Sequence, residues 1–286
     1  MRRVVVLDDL STGHRHNIPE AAEFVEGSIL DAPLVDQLVA RSDGVFHLAA
    51  LVSVQDCIAD WQGGHRTNLG ATISIMQAAA RHGGKPVIYA SSAAIYGDQN
   101  QQVCTEQLVP SPISPYGADK LGCEHQARAF AVIHGLPSVG LRFFNVYGPR
   151  QDPRSPYAGV ISKFCDNLRK GVAHTVFGDG MQSRDFVYVG DIVAGLIAAR
   201  DFALRSGGAE VANLCTGKVT TLLDLIATLD TVAAMPASAV NHAAARPGDI
   251  RFSMGSPAHA ADLMNWSASV GLEQGLREFW RTVSDN

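Results

Sequence analysis

The sequence predicts an α/β protein: a doubly wound parallel sheet followed by a smaller C-terminal α/β lobe. Two observations carry this. Short, near-continuous apolar runs recur at 3–9, 24–31, 44–50, 86–90 and 138–144, as strands buried on both faces require. The segments between them carry helical spacing or turn residues, the alternation expected of strands joined by crossover helices. After Pro149 the pattern shifts to shorter strands, longer polar loops and terminal helices. Domain boundaries are therefore set at 1–149 and 150–286, with a helix at 191–203 returning to the main sheet.

Taken in order, Arg3-Val4-Val5-Val6-Leu7-Asp8-Asp9 is a β-branched run that ends on two acids, and Leu10 to Gly13 is a turn. A strand and turn follow at 24–31, then a short helix at 34–40. The strand at 44–50 ends on small residues, Ala49 and Ala50, with His47 packed under the sheet. Thr67-Asn68-Leu69-Gly70 leads into a helix through Arg81, with Ile73, Met76 and Ala80 at helical spacing. The run Pro86 to Ala90 brings Ser91 and Ser92 to a strand's C-terminal end, where open α/β sheets place ligands. After a loop at 97–114, Ser114 is a plausible N-cap and Pro115 fits the first helical position. Tyr116 and Lys120 are four residues apart and share one helix face. A nearby ammonium favours an ionised phenol, so Tyr116 is a candidate proton shuttle, with the Ser92 hydroxyl available to hold the reacting oxygen. The strand at 138–144 delivers Asn145.

The second half reads as a polar loop (150–157), a helix (160–170), a strand, turn and strand (175–177, 178–180 and 183–189), and the helix at 191–203. A short strand (211–214) precedes a helix at 221–231 capped by Thr220. The alanine-rich 232–245 is the least informative stretch. A loop holds Arg246-Pro247-Gly248-Asp249, and helices at 257–263 and 272–282 close the chain.

The serine-bearing strand end, Tyr116-Gly117-Ala118-Asp119-Lys120, and Leu141-Arg142-Phe143-Phe144-Asn145-Val146-Tyr147-Gly148-Pro149 together resemble the extended short-chain dehydrogenase/reductase superfamily in its nucleotide-sugar epimerase/dehydratase branch. The resemblance covers nearly all of the chain and implies a Rossmann-like sheet that binds NAD. It implies catalytic roles for Ser92, Tyr116 and Lys120, and cofactor contacts from Asp8, Ser28, Ile29, Leu48, Ala49, Ala50, Tyr116 and Lys120. Asp8 fits the acid that holds the adenosine ribose, and its charge would repel a 2′-phosphate, which favours NAD over NADP. Ser28 departs from the family's usual Asp. Asn68 would tie its helix to the strand bearing the active serine.

In the second lobe the resemblance implies a UDP-sugar held by Asn145, Arg184, Arg246, Asp249 and Ser253. The arginines pair with the diphosphate, since guanidinium forks match phosphate oxygens. Asp249 contacts the uridine ribose or braces Arg246. Ser253 is a small gate that admits N-acetyl sugars, and Arg150-Gln151-Asp152-Pro153 resembles the N-acetylhexosamine branch.

The family's first strand, its G-x-x-G-x-x-G loop and its first helix should precede Asp8, yet Met1 falls where the second strand should begin. The first βα unit is thus missing, which leaves neighbouring strands exposed. Gly178-Asp179-Gly180-Met181-Gln182-Ser183 lacks the third glycine and reads as a plain turn. A truncated start and a degenerate protein are the two readings, and the intact downstream motifs favour truncation.

Ala93 and Ala94 stand where dehydratases carry acids, so the implied reaction is 4-epimerisation through a 4-keto sugar. The alternatives are another dehydratase or reductase of the family, or a non-catalytic sugar-nucleotide binder. A homodimer through the helices after Asn68 and from Tyr116 is also implied.

Composition narrows the rest. Hydrophobic content of 47% and charged content of 18% over 286 residues are globular values. A net charge of −5 gives no electrostatic case for nucleic acid or an anionic membrane, and no apolar run is long enough to span a bilayer. The five cysteines lack CxxC spacing and the ten histidines lack metal-site spacing. They read as reduced thiols of a cytoplasmic protein without metal.

Overall fold

The structure, a computed structural model, describes residues 3–152, 159–245 and 250–284. The chain divides into two compact units. One holds Met1–Ile95, Ser114–Leu141 and Ala199–Val211, and the other holds Tyr96–Ile113, Arg142–Ala198 and Ala212–Asn286.

In the first unit, β1 (Val5–Asp8) pairs in parallel with β2 (Glu23–Glu26). Helix α1 (Ala32–Ala40) starts two residues before the expected 34 because Asp31 Oδ1 accepts the Leu34 amide at 3.0 Å and Pro33 suits the first turn. Strand β3 (Val45–His47) stops at His47, so Leu48, Ala49 and Ala50 form irregular chain rather than strand. The next stretch holds α2 (Val54–Ala59), α3 (Trp61–His65), a π-helical turn at Arg66–Gly70 and α4 (Ala71–Arg81). The first two of these helices were not expected.

Strand β4 (Val87–Ser92) pairs in parallel with β3. Helix α5 (Pro115–His134) begins as expected: Ser114 Oγ accepts the Gly117 amide at 3.1 Å, and Gly135 ends the helix at φ 64°. Val35, Val39, Ile75, Met76, Val87 and Leu136 form its core.

A four-stranded sheet has the order β10-β5-β4-β3, with β5 at Ser138–Phe143 and β10 at Ala209–Leu214. The pair β1-β2 forms a separate sheet. Among the described residues β1 and β3 therefore each end a sheet, and Phe46 and Leu48 are 45% and 47% exposed.

In the second unit, β6 (Asn145–Tyr147) pairs with β9 (Phe186–Tyr188). Helix α6 (Val160–Lys170) lies where expected. Strand β7 (His174–Phe177) pairs with β12 (Val240–Ala243), so the uninformative alanine-rich stretch hides a strand. Strand β8 (Ser183–Arg184) lies between β11 (Thr220–Thr221) and β13 (Phe252–Ser253).

The single strand expected at 183–189 is thus broken at Asp185. The Asp185 carboxylate turns inward and accepts Thr216 N at 2.8 Å, Thr216 Oγ1 at 2.7 Å and Gly217 N at 2.9 Å. Helices α7 (Val189–Ser206), α8 (Leu222–Ala233), α9 (Ala258–Met264) and α10 (Leu272–Ser284) complete the chain. The cap of α8 is Thr221, one residue after the expected Thr220, because Thr221 Oγ1 accepts the Asp224 amide at 3.1 Å. No helix among the described residues is long and apolar enough to cross a membrane, and no cluster of His, Cys, Asp or Glu among them could hold a metal ion.

Candidate active site

The first unit brings Ser92, Tyr116 and Lys120 together. Tyr116 lies in the first turn of α5 and shares a hydrogen bond with Ser92 at the end of β4. Ser92 Oγ also accepts the Ala94 amide at 3.1 Å, which holds the serine at the strand end. One turn into the helix, the buried Lys120 donates its Nζ to the Ala90 carbonyl at 2.8 Å and lies 5.7 Å from the Tyr116 ring centroid.

The electrostatics differ from the expectation. Burial pushes the Tyr116 phenol up to about 12, and the Ser92 hydrogen bond only partly offsets this. Desolvation of the phenol outweighs the contacts that favour its ionised form. Desolvation of Lys120 lowers the lysine's own pKa.

Beneath this pair lies a buried polar chain. Thr72 Oγ1 donates to the Asn68 carbonyl at 2.6 Å. Its single proton is thereby used, so the 3.0 Å contact with His47 Nε2 has the histidine as donor, which fixes the tautomer. Burial, aided by the Lys120 charge, pushes His47 down to about 3, so it is a neutral packing group as expected. Asn68 sits in the π-helical turn. Its Oδ1 accepts Leu51 N at 2.8 Å and its Nδ2 donates to Leu51 O at 3.1 Å. It clamps the segment after β3, not the serine-bearing strand that was expected.

Of the eight residues expected to contact the cofactor, Tyr116 and Lys120 lie on α5 and the other six lie at or just after the C-terminal ends of strands. Asp8 ends β1, Ser28 and Ile29 follow β2, and Leu48, Ala49 and Ala50 follow β3. Asp8 Oδ1 accepts Leu10 N at 2.8 Å, and Ser28 Oγ accepts Leu30 N at 3.2 Å. Gly13 is seated on the Asp8 carboxylate so closely that a Cβ there would lie 3.1 Å from Oδ1. A half-buried carboxylate suits the paired hydroxyls of a ribose, and small Ala49 and Ala50 leave the backbone approachable. This donor set is chemically compatible with the adenosine end of NAD.

In the second unit, Asn145 begins β6, Arg184 ends β8, and Ser253 is the register partner of Arg184 on β13. Arg184 Nη1 donates to the Ser183 carbonyl at 2.9 Å. Arg246 and Asp249 lie outside the described residues. A small recess is lined by Asn145, Tyr147, Gln151, Gly159, Val160 and Phe186, among others. Sequence reasoning missed what positions these groups. The Asp185 carbonyl accepts Asn145 N at 3.0 Å while its carboxylate anchors the 216–217 loop. Asp191 likewise accepts Ser269 N at 3.1 Å, Ser269 Oγ at 2.8 Å and Val270 N at 3.0 Å.

Residues 1–215 match the NAD dependent epimerase/dehydratase family, and the chain belongs to it. More particularly, it is similar to the UDP-glucose 4-epimerase of Mycolicibacterium smegmatis, at 33% identity over 98% of this chain and 91% of that one. Among solved structures, the UDP-glucose 4-epimerase of Thermotoga maritima with UDP-glucose superposes with a TM-score of 0.92 at 34% identity, covering 98% of this chain and 90% of that one. The UDP-N-acetylglucosamine 4-epimerase of Methanobrevibacter ruminantium, in complex with UDP-N-acetylmuramic acid, gives 0.91 at 33% identity with the same coverage.

Proposed function

We propose that this protein interconverts UDP-sugars at C4, with NAD as a returned cofactor and the first unit as its NAD-binding part. The observation that carries this reading is the Tyr116–Ser92 hydrogen bond with Lys120 packed one turn below, followed by Ala93 and Ala94 rather than acids. NAD, when bound, accepts and returns the hydride. Tyr116 acts from its phenolate form, taking the proton of the sugar 4-hydroxyl on Oη and giving it back, while Ser92 Oγ holds O4 and Lys120 binds the nicotinamide ribose. The absence of an acid after Ser92 leaves no group to eliminate water, which separates this reading from a dehydratase.

Asn145 on β6 and Arg184 on β8, strands of two separate small sheets in the second unit, hold the diphosphate, and Arg246 and Asp249 add to them. Ser253 leaves room for an N-acetyl group beside the sugar. The helix α5 carries Val132 and Ile133 at 81% and 71% exposure, and this apolar end supports a homodimer through that helix.

The test is an epimerase assay on the purified chain with added NAD, using UDP-glucose and UDP-N-acetylglucosamine, with products separated by chromatography. Both 4-epimers are expected, with no net change in NADH absorbance. Ser253→Tyr should abolish turnover of the N-acetyl sugar and spare UDP-glucose. A product that has lost water, or a stoichiometric rise in NADH, would overturn the reading.

A further inference from the structure

The proposed chemistry uses Ser92, Tyr116 and Lys120 but leaves a buried pair beside them without a task. Ser91 Oγ donates to Glu124 Oε1 at 2.5 Å, and the two residues are 2% and 8% exposed. A hydroxyl bonded to a carboxylate at this distance belongs to the short, strong class of hydrogen bonds. Glu124 stands four residues after Lys120 and eight after Tyr116, so the three form one stripe along α5. Three consecutive residues of β4 grip that stripe. The Ala90 carbonyl takes Lys120, the Ser91 hydroxyl takes Glu124, and Ser92 takes Tyr116.

We propose that the Ser91–Glu124 hydrogen bond is a positioning contact that fixes where α5 sits along β4 and thereby sets Tyr116 Oη against Ser92. Tyr116 lies in the first turn, where a helix frays, whereas Glu124 lies near the middle, where the helix is stiff. A reference point in the stiff part governs the loose end. Two further side-chain ties of α5 lead away from β4: Cys123 Sγ donates to the Asn68 carbonyl at 3.3 Å, and Asp119 meets His65 at 2.8 Å. Neither holds the helix at a height on the serine-bearing strand. A displacement of about 1 Å between reacting groups costs on the order of a hundredfold in rate, so a tie at this point matters to the chemistry.

This inference rests on Tyr116 as the proton-transfer group, and its test reads that tyrosine directly. The full chain is labelled with 13C at tyrosine Cζ, and the resonance of Tyr116 is identified among the six tyrosines by its loss in Tyr116→Phe. Ser91→Ala should move the Tyr116 resonance and shift its alkaline titration midpoint by about half a pH unit or more, leaving the other five in place. Ser91→Cys, which nearly preserves volume and weakens the donor, should give a smaller shift in the same direction. Glu124→Gln keeps a carbonyl acceptor for Ser91 and should leave the Tyr116 resonance close to its wild-type position.

In the epimerase assay, Ser91→Ala should lower kcat about tenfold with KM nearly unchanged. An unmoved Tyr116 in the folded Ser91→Cys chain would overturn the proposal, as would equal shifts of all the tyrosines. A wild-type chain without epimerase activity whose Tyr116 still responds to Ser91 would sink the epimerase reading and leave the positioning contact standing.

Discussion

The two units bury polar groups to different ends. In the first, Ala90, Ser91, Ser92, Tyr116, Lys120 and Glu124 meet along one helix–strand contact, and every bond in it bears on a single phenol. In the second, Asp185 and Asp191 accept backbone and hydroxyl protons from chain segments far along the sequence, and neither faces a reactive group. One unit spends its buried polarity on an atom, the other on the shape of its loops. Lesions in the first should therefore act on rate, and lesions in the second on stability and binding.

The sharpest way to break this contrast is Tyr116→Phe. It should lower kcat by about 10²- to 10⁴-fold and leave the affinity for UDP-sugar, measured calorimetrically, close to wild type. Loss of binding would mean that the first unit also shapes the substrate site. Next comes Asp185→Ala, which strips the acceptor from Thr216 and Gly217 at once. With each orphaned buried donor costing about 1–3 kcal/mol, denaturant unfolding should show a loss of about 3 kcal/mol.

The smallest effect per pH unit is a slope. His47 is held neutral, with its pKa pushed from 6.5 down to about 3, so between these values the unfolded chain binds the additional proton. Stability should rise with pH across that window and fall on acidification, by up to about 1.4 kcal/mol per unit. His47→Gln should flatten this slope. An unchanged acid limb would show that His47 is less isolated than its burial indicates.

What was legible in the sequence followed from local rules. Ser114 before Pro115 and Gly135 after His134 mark both ends of α5 by capping alone, and the four-residue spacing of Tyr116 and Lys120 needs only helix geometry. The second unit's strands are two to four residues long and lie in several small sheets, so their pairing is set by partners distant in sequence. No local pattern announces that Asp185 splits a β-rich run, or that Val240–Ala243 finds a partner in β7. The Tyr116 pKa was misread for a related reason. The four-residue spacing gave the proximity of Lys120, but the depth at which the phenol is buried exists only once β4 is packed beneath α5.

The five cysteines are all reduced and buried, and they divide between the units: Cys57 and Cys123 in the first, Cys104, Cys165 and Cys215 in the second. Burial raises the pKa of each thiol, Cys104 to about 11 and Cys165 to about 12, so the native chain presents no ready thiolate to an alkylating reagent. Modification must wait for a local opening. Peptide mapping of a timed alkylation would then clock the breathing of each half separately, with no probe introduced, and would tell whether they open together or one at a time.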